Sequence, residues 1–234
     1  MQQNGSVITA GRDFSAAAGR DFAAIASQID ALRDIDITAT GDVALMSAAD
    51  EEHSTYSSKK LKTQEDHVSQ VATALKAGAD LAISAGQDLA LSASRVTAGD
   101  EAYLVAGGNL ALLAAEDSDY SLYDMKKKGS FGSKKTQRDE VTQITNVGSE
   151  ISTGGDLTLV SGSDQLYQAA KLNSGGDLTL DSGGDITFEA VKDLHQESHE
   201  KSKSDLGWFS MKGKGSTDET VRQSEIVAQG ELVI

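Results

Sequence analysis

Apolar residues recur one and three places after an acidic residue along most of the chain. Ile35 and Ile37 follow Asp34, Val43 and Leu45 follow Asp42, Leu157 and Leu159 follow Asp156, and Leu178 and Leu180 follow Asp177. Alternation of this kind predicts short strands with every second side chain on one face. The leading aspartates themselves repeat at 21 residues: Asp13 and Asp34, Asp21 and Asp42, Asp156 and Asp177, Asp164 and Asp185. Asp80, Asp88, Asp100 and Asn109 fit the scheme with one-residue slips. A fixed period near 20 predicts stacked coils, each burying its apolar edge against its neighbours. Ile37, Leu45, Ile83, Leu91, Leu112, Leu159 and Leu180 are then expected to point inward.

The stretch from Asp21 to Leu32 also fits a helical stripe through Phe22, Ile25, Ile29 and Leu32. Strand and turn are preferred, because Ile29 stands 16 residues after its leading aspartate, as Val96 and Leu172 do. Three longer segments interrupt the period, each with a polar outgoing limb, a Lys/Gly/Ser-rich middle and a Thr/Val/Gln-rich return. That order predicts long hairpins with basic tips. Lys62-Thr63-Gln64-Glu65-Asp66 recurs as Lys135-Thr136-Gln137-Arg138-Asp139, and Thr217-Asp218-Glu219 stands at the matching place of the third hairpin. The expectation is an all-β chain: residues 1–234 form a single parallel β-helix, or β-solenoid, of about 21-residue coils with three protruding β-hairpin arms. Coils cover 13–49, 78–115 and 154–190, and arms about 50–77, 116–153 and 191–229. The first and last strands resemble interior parts of coils, so the chain is expected to be a fragment cut at both ends. About seven coils at one strand spacing each give a shaft of roughly 30 Å.

Composition narrows this further. Only 5% of the chain is aromatic while glycine numbers 23, which suits a thin ladder better than a bulky core. With no cysteine, disulfides and thiolate metal sites are impossible. No run of about 18 apolar residues is present to cross a bilayer as a helix. The net charge of −15 argues against nucleic acid as a partner. Yet twelve of the 21 basic residues gather in three clusters: Lys59, Lys60 and Lys62; Lys126, Lys127, Lys128, Lys134 and Lys135; Lys201, Lys203, Lys212 and Lys214.

The Gly-Gly-Asp-Leu-Thr-Leu segments ending at Leu159 and Leu180, interleaved with polar arms, resemble the haemagglutinin repeats of filamentous haemagglutinin-type exoproteins. They are most similar to the second repeat region of contact-dependent growth-inhibition effectors. The resemblance implies a right-handed winding, secretion through an outer-membrane transporter partner, and a place at the surface of a Gram-negative cell. In those effectors the region is associated with the target cell's outer membrane and with passage of a C-terminal toxin. No secretion domain, receptor-binding region or toxin domain is recognisable in the chain.

Candidate chemistry is sparse. Stacked aspartates could hold a cation, but repulsion between like charges about 4.8 Å apart is only about 0.9 kcal/mol in water, and Gly-Asp is a good turn pair whose carboxylate can bond the local backbone. The steps of 8 and 13 residues do not match calcium-binding nonapeptides. His195, Glu197 and His199 lack the His-Glu-x-x-His order of a zinc protease, and Ser57-Ser58-Lys59-Lys60 lacks the partner motifs of a serine acyl-transfer site. No catalytic, cofactor or metal residue is assigned. The arm tips are the candidate surface-contact site: Lys126, Lys127, Lys128, Phe131, Lys134 and Lys135, with Lys201, Lys203, Trp208, Phe209, Lys212 and Lys214. Leu206 and Met211 lie in the same third tip. Aromatics beside lysines suit an anionic membrane surface; the alternative is that the rings fold back on the shaft and the lysines keep the loop soluble. Together with the resemblance, which implies the adhesin or toxin-delivery role, these features predict a non-catalytic repeat segment of a surface adhesin or toxin-delivery protein that contacts a target-cell outer membrane or surface glycan. The rivals are a polysaccharide-binding or polysaccharide-cleaving β-helix and a scaffold that self-associates through open coil ends.

Overall fold

The computed structural model describes residues 1–129, 132–205 and 207–234, and among these it contains strands and turns but no helix. Three parallel sheets of seven, seven and six strands form the shaft, and a fourth, antiparallel sheet of six strands stands beside it. Successive strands occupy the three faces in turn. One coil runs from Gln28–Ala31 on the first face through Ile35–Ala39 on the second to Val43–Met46 on the third. The parallel β-helix expected from the period is the fold, and Phe22–Ile25 and Gln28–Ala31 are strands, as repeat context required.

Stacking places like on like. Ile8, Ile29, Leu75, Val96, Ile151, Leu172 and Ile226 form one column on the first face. Ala16, Ile37, Ile83, Leu104, Leu159 and Leu180 form a column on the second. Ala24, Leu45, Leu91, Leu112, Tyr167 and Phe188 form one on the third. Every inward residue named from the sequence is at most 2% exposed. Burial of one such Leu or Ile contributes about 1.5–3 kcal/mol. Polar intrusions are satisfied: buried Gln165 donates to the carbonyls of Leu159 and Asp181, at 3.3 and 2.7 Å, and accepts from the Tyr167 hydroxyl at 2.8 Å.

Two corners of each coil carry the aspartates, and their carboxylates reach farther than a local turn. Asp21 accepts from the amide of Asp42 at 3.1 Å, Asp42 from Asp88 at 3.1 Å, Asp88 from Asn109 at 2.7 Å, and Asp164 from Asp185 at 2.9 Å. The carboxylate thus links its coil to the next. Asp80 accepts from Glu101 at 3.2 Å, and Leu81 pairs with Ala102, so Glu101 and not Asp100 holds the aspartate's place. The period there is 21 with no slip.

The third corner has two forms. In alternate coils it is a tight turn through Ala26, Ala93 or Ala169, each with φ between 42° and 46°. In the coils between, an arm leaves at this corner. The limbs are Ala48–Ser57 with Leu61–Val71, Ala115–Lys128 with Lys134–Val147, and Val191–Asp205 with Trp208–Arg222. Ala74–Ala77, Glu150–Thr153 and Glu225–Ala228, assigned to the arms by composition, belong to the first face of the shaft. Their short polar-apolar alternation does not distinguish a return limb from a shaft strand.

The arms are not separate projections. Ser118 to Met125 of the second arm pairs with Leu61 to Val68 of the first, and Lys134 to Ile144 pairs with Leu194 to Ser204 of the third. The cause is arithmetic. Two coils advance two strand spacings along the shaft, and one hairpin is two strands wide. Each arm therefore arrives beside its predecessor with no gap.

Candidate functional site: the distal arm sheet

The arms are rooted by a row of hydroxyls. Thr73 donates to the Met46 carbonyl at 2.7 Å, Ser94 to that of Leu45 at 2.8 Å, and Ser149 to that of Leu113 at 3.1 Å. Ser94 in turn donates its amide to the Ser149 hydroxyl at 3.3 Å. Ser6, Ser27, Thr73, Ser94, Ser149 and Ser224 each immediately precede a first-face strand, and that shared position is the sequence signal for them. A second anchor sits at the base of the limbs, where Asp117 accepts from the Gln70 amide at 2.6 Å and Asp193 from the Asn146 amide at 2.7 Å. Asp193 is held below the usual carboxylate range, because Arg222 and Asn146 outweigh the burial that pushes it up.

All four histidines lie on the limbs, beside carboxylates. His53 pairs with Asp66 inside the first arm, and His67 pairs with Asp119 across the first junction. His199 meets Asp139 at 3.0 Å across the second junction, with Glu197 of its own strand at 3.5 Å, while His195 meets Glu197 at 3.1 Å. The hydrogen bond to Asp119 raises His67, and that to Asp139 raises His199. Asp139 is lowered by Gln137 and then by His199. Among the described residues no three His, Asp or Glu side chains converge as a metal set. An open cleft of about 640 Å³ over the first two arms is lined by Glu52, Glu65, Asp119 and His67 among others. The part of the sheet near the shaft is thus acidic.

The far part is basic. Limbs of 14 and 15 residues place Lys126, Lys127, Lys128, Lys134, Lys135, Lys201, Lys203, Lys212 and Lys214 toward the end away from the shaft, all exposed. At about 3.4 Å per residue such limbs extend roughly 48 Å. Trp208, Phe209 and Met211 are 63%, 67% and 61% exposed, so the rings do not fold back on the shaft. Phe131 and Leu206 lie outside the described residues. The structure thus brings the second and third basic clusters together into one surface, which sequence reasoning had left as two tips. Lys59, Lys60 and Lys62 belong to the shorter first arm, where the Lys60 carbonyl accepts from the Lys126 amide at 2.8 Å.

These features define a repetitive parallel β-helix made of modules of two coils and one hairpin. The chain belongs to the hemagglutinin repeat family, which matches residues 1–64, 54–132 and 127–222. The matches overlap within the first and second arms, so the family's repeat runs from arm to arm through two coils. The chain is accordingly a structural repeat of a secreted, adhesin-type protein. No curated protein and no solved structure matches it.

Proposed function

We propose that this segment is a non-catalytic spacer that holds a basic contact surface away from an acidic shaft and presents it to the anionic outer membrane of a target cell. The parent would be an adhesin or a contact-dependent toxin-delivery protein, exported through an outer-membrane transporter partner and displayed on a Gram-negative outer membrane. The observation that supports this reading is the charge division along one fused sheet. Nine lysines lie in the far part of the second and third arms, in a chain whose net charge is −15. The Debye length at physiological ionic strength is about 8 Å, so a surface several such lengths from the shaft is felt as locally positive.

The test is binding to vesicles containing lipopolysaccharide, across a salt series, with Lys126, Lys127, Lys128, Lys134 and Lys135 changed together to Ser. The expected outcome is salt-sensitive binding that the five changes weaken by at least about 100-fold, since each lysine near an anionic surface contributes about 1 kcal/mol. Binding that ignores both salt and the five changes refutes the reading and leaves the arms as spacers.

A further inference from the structure

Side chains directly opposite on neighbouring antiparallel strands share a face of the sheet, as do alternate residues along a strand. Lys127 lies opposite Lys135, and Lys135 opposite Lys203. Two residues nearer the shaft on the third arm, Lys201 lies opposite Lys212. With Lys214, opposite His199 on the same face, six ammonium groups therefore stand on one face, and none of them forms an ion pair among the described residues. Directly opposed like charges destabilise a sheet; the carboxylates nearest the row on this face are Asp139, which pairs with His199, and Asp205, opposite Trp208. Trp208, the only tryptophan of the chain, shares this face two residues beyond Ser210, which lies opposite Lys203.

The other face also carries lysines and an exposed ring, Phe209 opposite Ser204, but its charge is mixed. Lys126 lies opposite Thr136, which lies opposite Ser202, and Lys128 and Lys134 lie in a row with Ser204. Asp124, on the same face, pairs with Lys126 at 3.7 Å, and Glu200 lies in the same row as Asp124. Positive charge is interrupted and partly neutralised there.

We infer that the contact is made by one face of the sheet, and that the face carrying Lys127, Lys135, Lys203, Lys201, Lys212 and Trp208 seats on the phosphate-bearing headgroup layer of a membrane. The inference rests on the tip-contact reading above. Phosphate groups supply the counter-charge that the row lacks. The lipid layer, as opposed to a soluble polyanion, is favoured by the exposed indole beside the row, since tryptophan is enriched at headgroup level. The row spans both arms, so neither arm alone carries the site.

The experiment compares two triple variants that remove equal charge from the same distal region. One is K127S, K135S and K203S; the other is K126S, K128S and K134S. Binding to phosphatidylcholine vesicles with and without phosphatidylglycerol is followed through Trp208 fluorescence and sedimentation, with circular dichroism confirming that both variants keep the strand spectrum. The first triple is expected to lose on the order of 100-fold in affinity for the anionic vesicles and the second less than about fivefold. A blue shift of Trp208 is expected with anionic vesicles and not with inorganic phosphate at the same phosphorus concentration. Equal losses in the two triples overturn the one-face inference while leaving the tip-contact reading standing. Unchanged binding with all six lysines replaced overturns both. The same spectral shift with inorganic phosphate alone overturns the membrane as the source of the phosphate.

Discussion

At Gly107 the packing between coils leaves no room for a methyl group, because a Cβ there would lie 2.3 Å from the Gly86 carbonyl oxygen. Gly184 answers a different demand: its Cβ would lie 2.2 Å from the carboxylate oxygen by which Asp164 grips the next coil. The Gly-Gly-Asp triplet, and its Gly-Gly-Asn counterpart at Gly107, thus combine a close approach of backbones with a slot for the preceding aspartate. Replacing Gly107 with Ala is expected to cost about 1–3 kcal/mol, as overpacking does, whereas Gly213→Ala, where no atom lies within 4 Å, should shift stability by less than about 0.5 kcal/mol. Urea unfolding of the two variants checks the contrast. The recurrence of glycine and aspartate is legible in the sequence, but their reasons for recurring are not. Each contact joins residues of different coils, and a local reading sees only a turn. The same blindness selected Asp100 where stacking places Glu101.

The arm sheet owes its pairing to where its hairpins are rooted and its junctions in part to ionisable pairs. His67 and Asp119 bridge the first junction, and His199 and Asp139 the second. Both histidines are raised above their ordinary value. Their contribution is therefore complete below about 6.5, the unfolded value, and is lost as pH climbs through the raised folded values. Asp139 is lowered, so its contribution is present above 3.8 and disappears as pH falls through its depressed value. The junctions are best held in the mildly acidic range between these limits. Hydrogen exchange of the amides from Ser118 to Met125 is expected to be less protected at pH 8.5 than at pH 6, after correction for intrinsic rates. His67→Asn should reduce that difference, and an unchanged difference in the variant would exclude His67 as its source. The hairpins themselves were readable from their polar limbs and Lys-rich middles. Their fusion was not, since both faces of the arm sheet are largely solvated and carry no apolar stripe to announce a partner.

For the whole molecule the decisive number is the ratio of coils to hairpins. Deleting Ala74 to Ser94 removes one coil and joins Thr73 to Arg95, which leaves the shaft registers intact, because both Ala74 and Arg95 begin first-face strands. It also brings the second arm one strand too close to the first. The arms are then expected to lose their mutual pairing, with loss of exchange protection in Leu61 to Val68. Deleting Ala74 to Ser149 removes two coils and one arm, joins Thr73 to Glu150, and should let the first and third arms pair. Equal protection in the two deletions would falsify the two-to-one rule. The shaft was legible because its period is written in every coil; the rule was not, because it compares two lengths that never adjoin in sequence. It also has a mechanical consequence. A lone β-helix resists bending about equally in all directions, but a continuous sheet tied along one side turns it into a flanged beam. Such a rod is stiff in the plane that contains the flange and softer across it. Under lateral load it would bend toward its flat sides and hold the direction in which the flange points.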